Sequence, residues 1–223
     1  MAQDSEPRSL RFKERMSGHV VFDHLDDLVT VNDDGTGWAR LALEMRMHIA
    51  DVDKFWDGDH VGDAGGEVVC AALGGRLPIH KGHFQLMVPA KDLRHKHMNY
   101  LLEFEDVRGR RFTLQGYKEV APGDFGPWEQ TTTSLCRIHH DWAITNRDGR
   151  ITDFDKWQPD AAASGVLRIR LRDFVWQEFT FRADPGAPIA TRVHTRLKFV
   201  RKFLASLWHA YGPGHRRPAG PQE

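Results

Sequence analysis

Apolar and polar residues alternate in short runs along most of this chain, and in one segment only does the spacing change to threes and fours. Alternation at period two with β-branched and aromatic enrichment predicts strands. In the first half these fall near residues 10–22, 38–50, 67–73, 80–88 and 98–106, and in the second near 110–120, 131–142, 150–154, 165–171 and 175–182. Turn-forming residues separate them, among them Asn32-Asp33-Asp34-Gly35, Gly74-Gly75, Arg108-Gly109, Pro122-Gly123-Asp124 and Asp148-Gly149. Gly62 to Gly66 and Leu73 to Leu77 also read as turns. Alternation assigns faces as well: Met98, Tyr100, Leu102 and Phe104 share one side of their strand, and Leu167, Ile169 and Leu171 oppose Arg168, Arg170 and Arg172. The Val107 to Arg110 turn is so short that Phe104 and Phe112 are expected on adjacent antiparallel strands.

The exception to the alternation is residues 190–211. There Val193, Leu197, Val200, Leu204, Leu207 and Tyr211 recur at helical spacing, with Arg192, Arg196, Lys198, Arg201 and Lys202 largely elsewhere. Thr191 is the expected N-cap, and Gly212-Pro213 ends the helix. Phe199, Phe203 and Trp208 flank the apolar stripe and make it wider than a core-facing seam needs. Such a helix can cover an open end or edge of a sheet, or it can dock on a membrane surface or a partner protein. The residues expected to carry that interaction are Phe199, Phe203, Leu204, Leu207 and Trp208.

Several segments recur in order. Arg11-Phe12 with Met16-Ser17-Gly18 is echoed by Arg111-Phe112 with Leu114-Gln115-Gly116. Residues 43–49 match 134–140, 82–88 match 165–171, and Asp92 through Phe104 match Asp173 through Phe181. An ordered recurrence of this kind points to a doubled unit. The expected fold is all-β: an antiparallel barrel or sandwich of about ten strands, lipocalin- or calycin-like, made from two pseudo-repeats (about 10–107 and 108–189) and closed by the C-terminal amphipathic α-helix. Residues 1–9 and the Pro/Gly/Arg-rich 212–223 are expected to be disordered.

Composition narrows the function classes. The 31 Lys and Arg balance 31 Asp and Glu, so no global field draws in a polyanion, and nucleic acid is not expected as a partner. No apolar run approaches the roughly 20 residues of a membrane span. The N-terminus lacks a signal-peptide core, which predicts a cytoplasmic protein. Cys70 and Cys136 lie in apolar strand contexts without metal spacing and are expected as buried free thiols.

Candidate chemistry is sparse. There is no nucleophile elbow, no dinucleotide fingerprint and no phosphate loop, so no cofactor is expected. His95 and His97 could share a face but sit in a lysine-rich run that reads as a loop. The acidic run Asp51, Asp53, Asp57, Asp59, Asp63 with Glu67 does not match a calcium loop, and no metal is expected. If the apolar interior were a catalytic cavity, His139, His140, Asp141 and Tyr117 would be the first candidates. If it instead holds a hydrophobic ligand, the expected lining is Tyr100, Leu102, Phe104, Phe112, Leu114, Ile138, Leu167, Ile169, Phe179 and Phe181; ordinary core is the plainer reading of the same residues.

Five stretches together resemble a known protein group. They are Phe12-Lys13-Glu14-Arg15-Met16-Ser17-Gly18; Leu73-Gly74-Gly75-Arg76-Leu77-Pro78; residues 109–118 (GRRFTLQGYK); Trp128-Glu129-Gln130-Thr131-Thr132-Thr133; and Gly165-Val166-Leu167-Arg168-Ile169. With the closing Phe203 to Trp208 helix, they are similar to an accessory region of large bacterial cholesterol-oxidase-like proteins of the glucose-methanol-choline oxidoreductase group, some fused to an α/β-hydrolase. The flavin and hydrolase chemistry of those proteins belongs to other domains, so the resemblance implies association with sterol or other lipid metabolism and no oxidase activity. The resulting expectation is a non-catalytic lipid-associated β-domain that binds a hydrophobic small molecule, a membrane surface, or a partner oxidoreductase or hydrolase. The alternative is a small lipocalin-like isomerase or cyclase with an apolar cavity.

Overall fold

The computed structural model of the chain describes residues 8–29, 36–89, 95–120, 132–141, 161–169, 182–183 and 187–211. Its strands are β1 (Leu10–Phe22), β2 (Trp38–Ile49), β3 (Val61–Cys70), β4 (Gly75–Pro89), β5 (Lys96–Glu105), β6 (Arg111–Val120), β7 (Thr133–His140), β8 (Ala163–Arg168) and the two-residue β9 (Arg182–Ala183). Two α-helices join them, α1 (Val52–Asp57) and α2 (Ile189–Tyr211).

Strands β1 to β8 pair antiparallel in sequence order, and β8 returns to pair with β1, so the sheet closes into an eight-stranded up-and-down barrel. The ninth strand continues the β8 edge at the start of β1, where Leu10 faces Ala183. Closure leaves the eight strands without free edges. The closing seam depends on two glycines. A Cβ on Gly18 would lie 1.9 Å from the Val166 carbonyl oxygen, and one on Gly165 would lie 2.1 Å from that of His19.

Every strand sends alternate residues inward, as the sequence pattern requires. On β1 these are Leu10, Phe12, Glu14, Met16, Val20 and Phe22, on β2 Leu41, Leu43, Met45, Met47 and Ile49. Phe104 and Phe112 are cross-strand partners in the β5–β6 hairpin, their rings stacked at 5.7 Å. Cys70 and Cys136 are free and buried, and burial pushes the Cys136 thiol up to about 12.

The structure differs from the sequence expectation at specific places. Nine strands are present among the described residues, while the strands expected at 150–154 and over most of 175–182 lie outside them. The third strand begins at Val61 rather than residue 67, so the glycine-rich run read as a turn is strand. Gly62 is needed because a Cβ there would meet the Phe84 ring at 2.5 Å, and Gly66 takes φ +123° at an irregularity in the β3–β4 pairing. Residues 71–73 form a 3-10 turn instead of strand, and β4 starts at once after Gly74. Lys96 and His97 belong to β5 rather than a loop.

The described parts of three matched pairs occupy β1 and β6, β2 and β7, and β4 and β8 with the same inward parity, while residues 173–181 of the fourth pair lie outside the described residues. Parity of this kind is required of any barrel strand, so it does not by itself demonstrate a duplication.

Different devices close the two ends of the barrel. At one end the 3-10 turn Leu25–Asp27 and the β5–β6 turn are tied together: Arg110 donates to the carbonyl oxygens of Asp26 (3.0 Å) and Asp27 (2.7 Å) and to the Asp106 carboxylate (2.8 Å). At the other end α1 and α2 cross the opening. Asp51 caps α1 by accepting from Asp53 N and Lys54 N. Phe199 of α2 packs on Trp56 (5.5 Å), Phe12 (6.1 Å) and Phe55 (6.3 Å). Lys198 pairs with Asp53, and Lys202 with Asp57 at 3.1 Å. The helix starts at Ile189, so Thr191 lies inside its first turn, where its carbonyl accepts from Thr195 Oγ1, and it does not act as the cap. No helix among the described residues is long and apolar enough to cross a membrane.

Candidate functional site

Three polar side chains meet inside the barrel. Glu14 on β1, Tyr100 on β5 and Lys118 on β6 are 4%, 0% and 2% exposed. Both the Tyr100 hydroxyl and the Lys118 ammonium donate to Glu14 Oε1 at 2.9 Å. Strand β5 lies four strands from β1 in either direction around the barrel, so these bonds span the interior. Lys118 Nζ also sits 4.9 Å from the centre of the Tyr100 ring.

Around the trio the inward residues are apolar: Phe12 and Met16 on β1, Met45 on β2, Phe84 on β4, Met98 and Leu102 on β5, Leu114 on β6. Gly116, next inward before Lys118, leaves room on the strand; a Cβ there would come within 3.2–3.3 Å of Tyr100 and Ser134 Oγ. Burial, then the Glu14 charge and the hydrogen bond into it, push the Tyr100 hydroxyl well above its ordinary range. Tyr100 therefore remains a proton donor at any physiological pH.

The trio's hydrogen-bonding capacity is not exhausted. Lysine carries three N–H donors and a carboxylate two oxygens. Among the described residues Lys118 donates to one acceptor and Glu14 uses one oxygen. Buried ions are normally saturated, because each unsatisfied group costs the full desolvation penalty. Surplus donors and a surplus acceptor side by side in an apolar interior can seat one further polar group.

Sequence reading named Tyr100 but missed Glu14 and Lys118. In Phe12-Lys13-Glu14-Arg15-Met16 three charges stand in a row, and only strict counting from Phe12 and Met16 turns Glu14 inward and leaves Lys13 and Arg15 outside. Lys118 was detectable in the same way from Phe112, Leu114 and Val120.

Of the expected lining residues, Tyr100, Leu102, Phe104, Phe112, Leu114, Ile138, Leu167 and Ile169 are buried at inward positions. Phe179 and Phe181 lie outside the described residues.

The four catalytic candidates are not brought together. Tyr117 and His139 are on the outer face, where Tyr117 Oη is 2.5 Å from His97 Nδ1 and His139 is cross-strand from Thr113. That outer face of β5 to β7 is itself buried at Asn99, Leu101, Thr113, Gln115 and His139. His140 and Asp141 line an open groove of about 440 Å³ at the barrel end with Glu105, Gly109, Arg110 and Arg111. His140 Nε2 lies 2.9 Å from Asp27 Oδ1. Burial would push the nearby Asp106 carboxyl up, but the Arg110 and Arg108 N–H groups and the Arg110 guanidinium outweigh it and hold it low. The groove thus has an imidazole–carboxylate pair, and the described residues that line it supply no hydroxyl or thiol to activate.

The acidic run is committed to structure. Asp51 caps α1, Asp53 and Asp57 bind α2, Asp63 lies between His83 (3.3 Å) and His48 (3.8 Å), and Glu67 pairs with Arg76. Among the described residues no group of three or more His, Cys, Asp or Glu is arranged to hold a metal ion. The interaction residues of α2 divide between its faces. Phe199 is buried and Phe203 and Leu207 pack on the core, whereas Leu204 and Trp208 are exposed.

Comparison of the chain with known protein families, curated proteins and solved structures returns no match.

Proposed function

We propose that this chain is a non-catalytic lipid-binding barrel that holds one elongated apolar molecule with an uncharged polar end, such as a hydroxyl or carbonyl, seated on Glu14, Lys118 and Tyr100. The observation that carries this reading is the unused hydrogen-bonding capacity of a buried ion pair in an apolar interior. Glu14 and Lys118 cancel in charge, so a charged end group would add an uncompensated ion to a low-dielectric site. A hydroxyl fits both partners, donating to the carboxylate and accepting from the ammonium. An eight-stranded barrel is of the size that holds a single small ligand. Inward methionines at positions 16, 45, 47 and 98 can repack around differing apolar bodies.

Sterols and long-chain alcohols meet these requirements, in keeping with the sequence resemblance to a sterol-oxidase accessory region. The alternative is a small isomerase or cyclase, in which the Glu14 carboxylate would take a proton and the Tyr100 hydroxyl would give one.

The test is native mass spectrometry of the purified chain with solvent extraction, followed by titration with a fluorescent sterol and a fluorescent fatty alcohol. Binding of one molecule per chain is expected, weakened roughly tenfold, or about 1.4 kcal/mol, in the Glu14→Gln/Lys118→Met double variant. Failure of both probes to bind, or equal binding to the variant, overturns the proposal.

A further inference from the structure

The outer wall of the barrel around its closing seam is cationic. Outward positions on β1, β2, β8 and β9 carry Arg11, Arg40, Arg46, Arg168 and Arg182, all of them exposed. Among the described residues none of these arginines is paired with an acid. Glu44, the outward acid on β2, is engaged by Arg15 at 3.0 Å and by Arg76. Arg11 stands directly opposite Arg182 across the ladder, and like charges so placed repel. The wall thus holds a concentration of positive charge that its own acids leave uncompensated, and a partner of opposite sign would relieve the repulsion.

An exposed apolar pair lies within this charge and narrows the kind of anion. Cross-strand pairing sets Arg40, His19, Val166 and Leu135 in one outward row across β2, β1, β8 and β7. Val166 is 39% and Leu135 47% exposed, and Arg168 is the next outward residue after Val166 on β8. Aliphatic side chains beside arginines suit the boundary between lipid headgroups and acyl chains. They make a poor platform for nucleic-acid bases, which stack on aromatic rings. From the level of Arg11 to that of His19 the wall is about 27 Å long at the usual strand rise, so it can meet several headgroups at once and is too long for one small anion. A second copy of the wall would set arginine against arginine.

We infer that this wall is the face on which the chain docks to a bilayer carrying anionic phospholipid. The guanidinium groups bond to headgroup phosphates, and Val166 and Leu135 enter beneath them. The wall is outside the barrel, so docking does not depend on a ligand within.

The test is co-sedimentation of the full chain with phosphatidylcholine vesicles and with vesicles in which about a third of the lipid is phosphatidylserine. Partitioning should be roughly tenfold or more stronger into the phosphatidylserine vesicles and should fall as salt is raised. Arg11→Gln/Arg46→Gln and Arg40→Gln/Arg168→Gln should each lower it about tenfold, with melting temperatures no lower than that of the wild type. Leu135→Thr/Val166→Thr should weaken the binding that survives at high salt. Leu204→Ser/Trp208→Ser, on the exposed side of α2, should partition as the wild type does. Equal partitioning into the two kinds of vesicle, absence of binding, or wild-type binding by the arginine variants overturns the inference. So does loss of binding confined to the α2 variant, or a single-stranded oligonucleotide that strips the bound chain from the vesicles.

Discussion

The Tyr100 hydroxyl and the Glu14 carboxylate are 86 residues apart in sequence and meet at 2.9 Å across the barrel interior. The bond joins opposite walls that no backbone ladder connects directly. With Lys118 on the same oxygen it links three strands through one buried atom. Desolvated ions contribute little net stability when paired, and destabilise strongly when a partner is removed.

Lys118→Met should therefore destabilise the chain by about 3–5 kcal/mol, since it leaves Glu14 buried without its counter-charge. Glu14→Gln in the same background should recover most of that loss. Urea denaturation of the wild type, both single variants and the double variant checks it. A double variant no more stable than Lys118→Met would show that the pair is not coupled.

Acid should loosen α2 before it opens the barrel. The hydrogen bond from Lys198, aided by the charges of Lys198, Arg8 and Lys202 and opposed by burial, holds the Asp53 carboxyl below its ordinary 3.8. A group lowered in the folded state stabilises it above the unfolded value, and that contribution is lost as pH falls from there through the folded value. A loosening of α2 worth less than about 1 kcal/mol is expected below about pH 4. Fluorescence of Trp56, isolated by replacing the other tryptophans with Phe, reports contact with Phe199, and Asp53→Asn should remove this part of the pH dependence. The pair is partly exposed, so Asp53→Asn should cost less than about 1 kcal/mol at neutral pH.

The seam glycines should tolerate no side chain. Gly165→Ala places a methyl 2.1 Å from the His19 carbonyl oxygen and 2.7 Å from Val20 Cα, both backbone atoms. Forcing β1 from β8 should cost about 3 kcal/mol or more. At Gly65, where a Cβ meets nothing within 4 Å, the same change should be neutral or slightly stabilising. Thermal melting of the two variants decides it, and similar melting temperatures would contradict the close approach.

Much of the fold follows from local pattern. The first strand and the helix beginning at Ile189 agree with the alternation and the helical spacing to within a residue, because periodicity is a property of consecutive positions. The β5–β6 hairpin was equally clear, since so short a turn leaves Phe104 and Phe112 no other arrangement. The β3 strand was misread for a tertiary reason: Gly62 and Gly66 imitate a turn, yet one clears the Phe84 ring and the other accommodates a change of register.

By itself the sequence determined that the chain is antiparallel β with a terminal amphipathic helix, and which residues of each strand share a face. Only the tertiary structure decided that the sheet closes on itself, since closure depends on long-range pairing of β1 with β8. It also brought Glu14, Tyr100 and Lys118 to one point, which depends on where walls lie across the barrel. And it divided α2 between barrel and solvent: Phe199, Phe203 and the Asp53–Lys198 pair hold one side on the barrel, while Leu197 and Leu204 remain exposed.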